Sequence, residues 1–149
     1  MIWSWRSFSD LSTVELYDIM ALRQAVFVVE QECAYQDSDG QDGRSMHLSG
    51  MQDGRLRAYL RAFGPGLVYE EAAIGRVVVA STERGTGLGR RLMEEGLVRV
   101  NQTWGPVAVK VSAQAHLERF YRSLGFEVVG EGYLEDGIEH LPMTRPARS

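Results

Sequence analysis

Gly85, Gly87 and Gly89 alternate with other residues in the run STERGTGLGRR, residues 81–91, with Arg84 before them and Arg90 and Arg91 after. A residue without Cβ lets the backbone turn sharply and come close to a ligand. The residues that follow read as a helix, and the first turn of a helix has N–H groups without acceptors and a partial positive charge. Glycines at that junction make an anion cradle, and phosphate is the usual anion. Each charge-assisted hydrogen bond to a phosphate oxygen contributes roughly 1.5–3 kcal/mol. The spacing G-x-G-x-G differs from the dinucleotide fingerprint, which has two residues before its last glycine. It also lacks the Gly-Lys-Ser/Thr ending of the nucleoside triphosphate loop.

Composition narrows the remaining chemistry. The 149 residues carry a net charge of −4, with 44% hydrophobic and 24% charged residues, as in an ordinary globular domain. One domain over residues 1–149 is expected. The acidic balance argues against a nucleic-acid partner. Cys33 is the only cysteine, which excludes an intrachain disulfide and a cysteine zinc site. His47, His116 and His140 lack metal-site spacing, so no metal is expected. The opening MIWSWRSF has no charged leader before an apolar core, and no apolar run reaches transmembrane length. A cytoplasmic protein with no membrane partner is therefore expected.

The elements that must position the cradle follow from periodicity. Ile2–Phe8 alternates as a strand. Ser12 and Glu15 have capping-box spacing and open a helix expected to run to about Val29, apolar on two sides. Residues 31–45 are polar and turn-rich and read as a long functional loop. Met46–Met51 and Arg55–Phe63 form a hairpin around Asp53-Gly54, with Leu56, Ala58, Leu60 and Ala62 on one face and Arg55, Arg57, Tyr59 and Arg61 on the outward one. Ala73–Ala80 is a valine-rich central strand leading into the cradle, and the cradle into a helix to about Val100. Then come a strand over Val107–Ser112, a helix over Gln114–Leu124 ended by Gly125, and closing strands Phe126–Tyr133 and His140–Thr144. The fold class is α/β (α+β), a mixed central sheet with helices on both faces.

Arg84-Gly85-Thr86-Gly87-Leu88-Gly89 resembles the R/Q-x-x-G-x-G/A pattern of the Gcn5-related N-acetyltransferase (GNAT) family, and Tyr121-Arg122-Ser123-Leu124-Gly125-Phe126 resembles its Y-x-x-x-G-F ending. The order of elements fits that family along nearly the whole chain. LRQAVFVVEQECAYQDSDGQD, AQAHLERFYRSLGF and YLEDGIEHLPM are similar to its ElaA-like branch. Glu139 stands where that branch is expected to have proline, and Gln114 where many family members have asparagine.

The resemblance implies an N-acetyltransferase that uses acetyl-coenzyme A as co-substrate and transfers the acetyl group directly to a primary amine. The pyrophosphate would lie on Arg84, Gly85, Thr86, Gly87, Leu88, Gly89 and Arg90. The pantetheine arm would pair with a splayed edge at Val77, Val78 and Val79, near Gln114. Tyr121 would protonate the departing thiolate. The attacking amine must be neutral, and at pH 7 only about one lysine-type amine in a few thousand is. A base is therefore needed. The valine strand carries no acid, so the base must come from loops: Glu30, Asp37, Asp39, Asp42, His47, Glu135, Asp136 or His140. Of these, Glu30, Asp39, His47, Glu135 and His140 are the candidates for the substrate end, where loop acids favour a cation. The expected partner is a small-molecule or peptide amine, and the chain is expected to be a monomer or homodimer. The alternative is a non-catalytic acyl-coenzyme A sensor; a nucleotide-binding interaction protein is a further rival.

Overall fold

Alternating side chains in MHLSGMQ and RLRAYLRAF form the hairpin β2 (Met46–Gln52) and β3 (Arg55–Phe63) in the computed structural model, which describes residues 1–148. Asp53 and Gly54 both have positive φ, 54° and 72°, as a two-residue turn matched to strand twist requires. Around the hairpin the sheet adds β1 (Ile2–Ser7) at one edge and β4 (Ala72–Val79), β5 (Val109–Gln114), β8 (Ile138–Arg145) and β6 (Glu127–Val128) on the other side. The order is β1-β2-β3-β4-β5-β8-β6, and β7 (Tyr133–Glu135) also pairs with β8. Among the described residues only β4 and β5 run parallel.

Helices cover both faces. On one side α2 (Leu88–Trp104) and α3 (Glu118–Ser123) bury Leu88, Leu92, Met93, Val100 and Tyr121 against Leu60, Val111 and Met143. On the other, α1 (Thr13–Arg23) packs Ile19 against Tyr59 and Val78, with Val26 beyond it. The capping box at its start is formed: Ser12 Oγ accepts from Glu15 N–H at 3.0 Å, and Ser12 N–H donates to Glu15 at 2.9 Å. The mixed sheet with helices on both faces is the expected fold.

Several boundaries differ for physical reasons. The first helix ends at Arg23 and continues as a π-helical segment, Gln24–Glu30, in which Gln31 and Cys33 donate to carbonyls five residues back. Gln114 ends β5 instead of starting a helix, because it pairs with His140. The closing strand Phe126–Tyr133 is split. Val129 N–H donates to Pro142 O, so the nitrogen of Pro142 faces the same neighbour and has no hydrogen to give, and the ladder breaks between β6 and β7. Tyr59 and Arg61, expected on an outward face, are buried, because α1 and the 31–45 loop cover that face.

β4 carries the feature on which the site depends. Arg76 has φ of 53°, and the register slips, with Tyr59 opposite Val78 but Arg61 opposite Gly75. This β-bulge places Gly75 and Arg76 consecutively on the α1 side and increases the local twist. On its other edge β4 pairs with β5 only at Ala72↔Val109 and Ala73↔Lys110. Beyond Ala73 the two strands part.

Candidate active site

The parting of β4 and β5 forms a cleft of about 1220 Å³. Val77, Val78 and Val79 border it along the edge of β4 that β5 has left. Gln114 borders it from β5. The glycine loop lies at one end. Gly85 and Gly87 adopt left-handed φ of 79° and 81°, which a side chain would strain. Gly89 does not need its glycine for backbone reasons, and a Cβ there would meet nothing within 4 Å. Arg91 N–H makes the first bond of α2, to Gly87 O at 3.2 Å. Among the described residues, the N–H groups of Gly87, Leu88, Gly89 and Arg90 have no acceptor within the protein. A bare helix start beside an unfilled glycine surface fits a phosphate group.

The loop side chains divide the work differently from the sequence expectation. Leu88 is buried in the core, so only its backbone faces the loop. Thr86 Oγ1 donates to Glu83 O at 2.6 Å. Arg90 donates to Ser123 Oγ at 2.8 Å and so ties α2 to α3. Arg84 borders the cleft and makes a two-point ion pair with Glu30, one contact at 2.8 Å. The hydrogen bond from Arg84 holds the Glu30 carboxyl below its usual range. Glu30 therefore faces the loop's guanidinium instead of an acceptor.

Tyr121 reaches the cleft from the α2–α3 side, packed edge-on between Phe120 and Phe126. Burial pushes its phenol up to about 12, and no hydrogen bond offsets that. His140 reaches the cleft from the opposite face of the sheet. It stands across from Gln114, one step out of phase with Leu141 and Met143, which pack into the core under α2 and α3. His140 Nδ1 donates to Ile138 O at 2.7 Å, which leaves Nε2 toward the cleft, 3.4 Å from Glu135. The Tyr133 ring stacks on the imidazole at 6.1 Å. Cys33 Sγ donates to Asp136 O at 3.3 Å, so the 31–45 loop touches the β7–β8 turn across the cleft.

The remaining loop acids are not a cation trap. Asp37 and Asp42 hold Arg23, which is fully buried, at 2.8 and 2.7 Å. Arg61 grips Asp39 at 2.6 Å and Asp42 at 3.0 Å, and Arg76 lies 2.8 Å from Asp37. Burial alone would lower Arg23, but the hydrogen bond to Asp42 and the neighbouring charges raise it above its usual range. The Arg61 hydrogen bond keeps Asp39 ionised well below the usual carboxylate range. Three aspartates thus neutralise three arginines. Asp39 borders the cleft, but as a partner of Arg61.

His47 must also be removed from the substrate end. It is 1% exposed, with Nδ1 at 2.6 Å from Tyr59 Oη and Nε2 at 3.0 Å from Asp42 O. It does not border the cleft, and burial lowers its pKa below the ordinary 6.5. The roles of Arg23, Arg61 and Arg76, and of Tyr35, whose hydroxyl donates to Asp37 at 2.8 Å, were not legible in the sequence. The available signal was a helix apolar on two sides, which needs a cover on each. Among the described residues no group of three or more His, Cys, Asp or Glu could hold a metal ion, and no helix is long and apolar enough to cross a membrane.

Comparison with known proteins identifies the family of this fold. The family described as acetyltransferase (GNAT) domain matches residues 16–146. The protein ElaA of Escherichia coli is 43% identical over 145 residues, covering 96% of this chain and 95% of its own. Its crystal structure superposes with a TM-score of 0.90 at 42% identity, over 97% of this chain and 98% of that one. An acyl-CoA N-acyltransferase from Pseudomonas aeruginosa gives a TM-score of 0.92 at 44% identity, over 97% and 99%. An aminoglycoside 6'-N-acetyltransferase solved with coenzyme A shares the fold at 16% identity, with a TM-score of 0.74 over 97% and 96%.

Proposed function

The chain belongs to the GNAT acetyltransferase family, and on that premise we propose that it transfers an acetyl group from acetyl-coenzyme A directly to a primary amine, without an acyl-enzyme. One observation carries the proposal. The edge of β4 left open by β5 runs toward the bare N-terminus of α2, with a phenol on one face of the sheet and an imidazole on the other. The N–H groups at Gly87–Arg90 would hold the pyrophosphate. The free edge at Val77–Val79 would pair with the amides of the pantetheine arm, as an added strand does. Acetyl-coenzyme A, when bound, supplies a thioester carbonyl, and amides of β4 would face the charge that develops on its oxygen.

His140 is the base of this reading. Its Nδ1–H is committed to Ile138 O, so Nε2 is free to take the proton as the amine nitrogen forms its bond to the carbonyl carbon. Glu135 stabilises the imidazolium that results. Tyr121 lies on the coenzyme side. Full transfer of its proton to a thiolate of ordinary pKa, about 8.5, is uphill by about 5 kcal/mol with the phenol at about 12. Tyr121 would therefore stabilise the departing sulfur as a hydrogen-bond donor, and the thiolate gains its proton by exchange with buffered solvent, to which the His140 imidazolium returns the proton taken from the amine. On this reading the tyrosine donates a hydrogen bond to the sulfur, where the resemblance has it protonate the thiolate.

The test begins with the cradle. Gly87→Glu puts a side chain and a negative charge at a left-handed position beside the bare amides. Titration calorimetry with coenzyme A should show binding to the wild type and none to the variant; equal affinity would remove the loop from the site. Thiol release from acetyl-coenzyme A with amines tests the chemistry. Coenzyme binding without release from any amine would favour the non-catalytic alternative.

A further inference from the structure

We infer that Glu30 belongs to the coenzyme site as a competitor: its carboxylate occupies the guanidinium of Arg84 that a bound diphosphate takes over. This rests on the reading proposed above. Glu30 ends the π-helical segment that follows α1, and Arg84 stands 54 residues later, directly before the glycine loop. Both border the cleft. Arg84 meets Glu30 with both terminal nitrogens, Nη2 donating to Oε2 at 2.8 Å. Neither side chain has another ion-pair partner among the described residues. A planar fork of this kind matches carboxylate and phosphate groups alike. Three residues on, the unsatisfied N–H groups of Gly87–Arg90 begin, so a diphosphate held there would lie beside a cation that is already taken.

Exposure and charge decide the exchange. The side chains of Arg84 and Glu30 are 45% and 40% exposed. A pair that open to water contributes little and does not hold Arg84 against a stronger anion. The diphosphate is the stronger anion, because it carries more charge and is fixed by the amides as well. Arg61 and Arg76 also border the cleft, but their side chains are 7% and 22% exposed and locked to Asp37, Asp39 and Asp42. Lys110 lies over the Tyr69 ring, on β5. Arg84 is thus the cleft arginine whose acid can be exchanged. Two anions on one guanidinium repel each other, so each weakens the hold of the other. The hydrogen bond from Arg84 keeps the Glu30 carboxyl below its usual range. Once Arg84 turns to the diphosphate, that carboxyl returns toward its ordinary value, near 4.3, and stays ionised at neutral pH. Coenzyme entry therefore unties the π-helical segment from the glycine loop and leaves a free carboxylate on the cleft wall.

The experiment is a double-mutant cycle read by titration calorimetry with coenzyme A on the full chain. The four proteins are the wild type, Glu30→Gln, Arg84→Met and the double variant, with thermal melts to report that each is folded. Glu30→Gln keeps the shape of the side chain and removes its charge. It should lower the Kd by about twofold to fivefold, the strength of an exposed pair. With Arg84→Met already present, the same change should leave the Kd as it is. Equal tightening in both backgrounds would mean that Glu30 acts only through its general field, and overturns the competition. An unchanged or higher Kd in Glu30→Gln alone also overturns it, because Glu30 would then be a bystander or a support for Arg84. Dephospho-coenzyme A has the diphosphate and lacks the 3′-phosphate. It should show the same gain, and a gain confined to coenzyme A would overturn the assignment to the diphosphate. If coenzyme A binds neither the wild type nor Glu30→Gln, the proposed function fails and takes the inference with it. The other adverse results arise with coenzyme A bound and overturn the inference alone.

Discussion

At the scale of single residues, environment decides role more than residue type does. Two tyrosines with buried rings show this. Tyr59 is fully buried and bonded to His47, and serves the interior. Tyr121 is nearly as buried, but its hydroxyl is left for the cleft, where a sulfur would lie. Tyr121→Phe keeps the ring and its edge-on contacts with Phe120 and Phe126 and removes only the donor. Steady-state kinetics should show kcat reduced by about 10²-fold, with the Kd for coenzyme A within about twofold of wild type. An unchanged kcat would leave Tyr121 with packing alone. The aspartates make the same point from the other side: in sequence Asp37, Asp39 and Asp42 are indistinguishable from a solvated acidic loop. Removing Arg23 from among them would leave three aspartates with two arginines, one buried negative charge uncompensated, so the arginine is structural in its own right.

At the scale of elements, the site depends on β4 bending and α2 approaching. The bulge at Arg76 turns Val77–Val79 away from β5, and the guanidinium of Arg76, held by Asp37 and stacked over Tyr35, anchors a backbone that would otherwise be strained. The start of α2 is brought to that bend by close helix–sheet packing at Gly96. A Cβ there would lie 2.8 Å from Leu60 Cδ2, and Leu60 is fully buried. Gly96→Ala gains about 1 kcal/mol in helix propensity. It must also push a core leucine aside, at about 1–3 kcal/mol. Urea denaturation should show a net loss of up to about 2 kcal/mol. Greater stability in the variant would mean that α2 has room to shift and that Gly96 does not set the approach.

At the scale of the whole molecule, one buried polar network joins α1, the 31–45 loop, β2, β3 and β4 through Arg23, Asp37, Asp42, His47, Tyr59, Arg61 and Arg76. It makes stability depend on pH with a definite sign. Folding lowers the pKa of His47 below 6.5, mainly through burial, so below pH 6.5 the unfolded chain binds more protons and stability falls. Asp39 and Asp42 are also lowered from 3.8, and their contribution, complete above that value, is lost as pH drops through their folded pKa values. Thermal melts from pH 8 downward should therefore show a first decline starting near pH 6.5, well before the carboxylates titrate. His47→Gln should flatten that first decline whatever its effect on the absolute Tm. A wild-type Tm constant between pH 7 and 5 would show that His47 protonates without cost.

The sequence by itself determined the elements, the mixed α/β architecture and the cradle, because these follow from local rules. Alternation made the hairpin, Ser12 and Glu15 started α1, and glycines at residues 85–89 preceded a helix. Its resemblance to the GNAT family was readable from two motifs in the right order. Only the tertiary structure decided which acids meet solvent and which histidines border the cleft. Asp39 and Glu135 are alike in the chain, yet one is gripped by Arg61 from a strand 22 residues away and the other faces the opening. His47 and His140 both sit on strands and are both buried, yet α1 and the 31–45 loop close over one while the other borders the cleft left by the parted sheet. Burial and ion pairing belong to partners distant in sequence, and no local pattern records them.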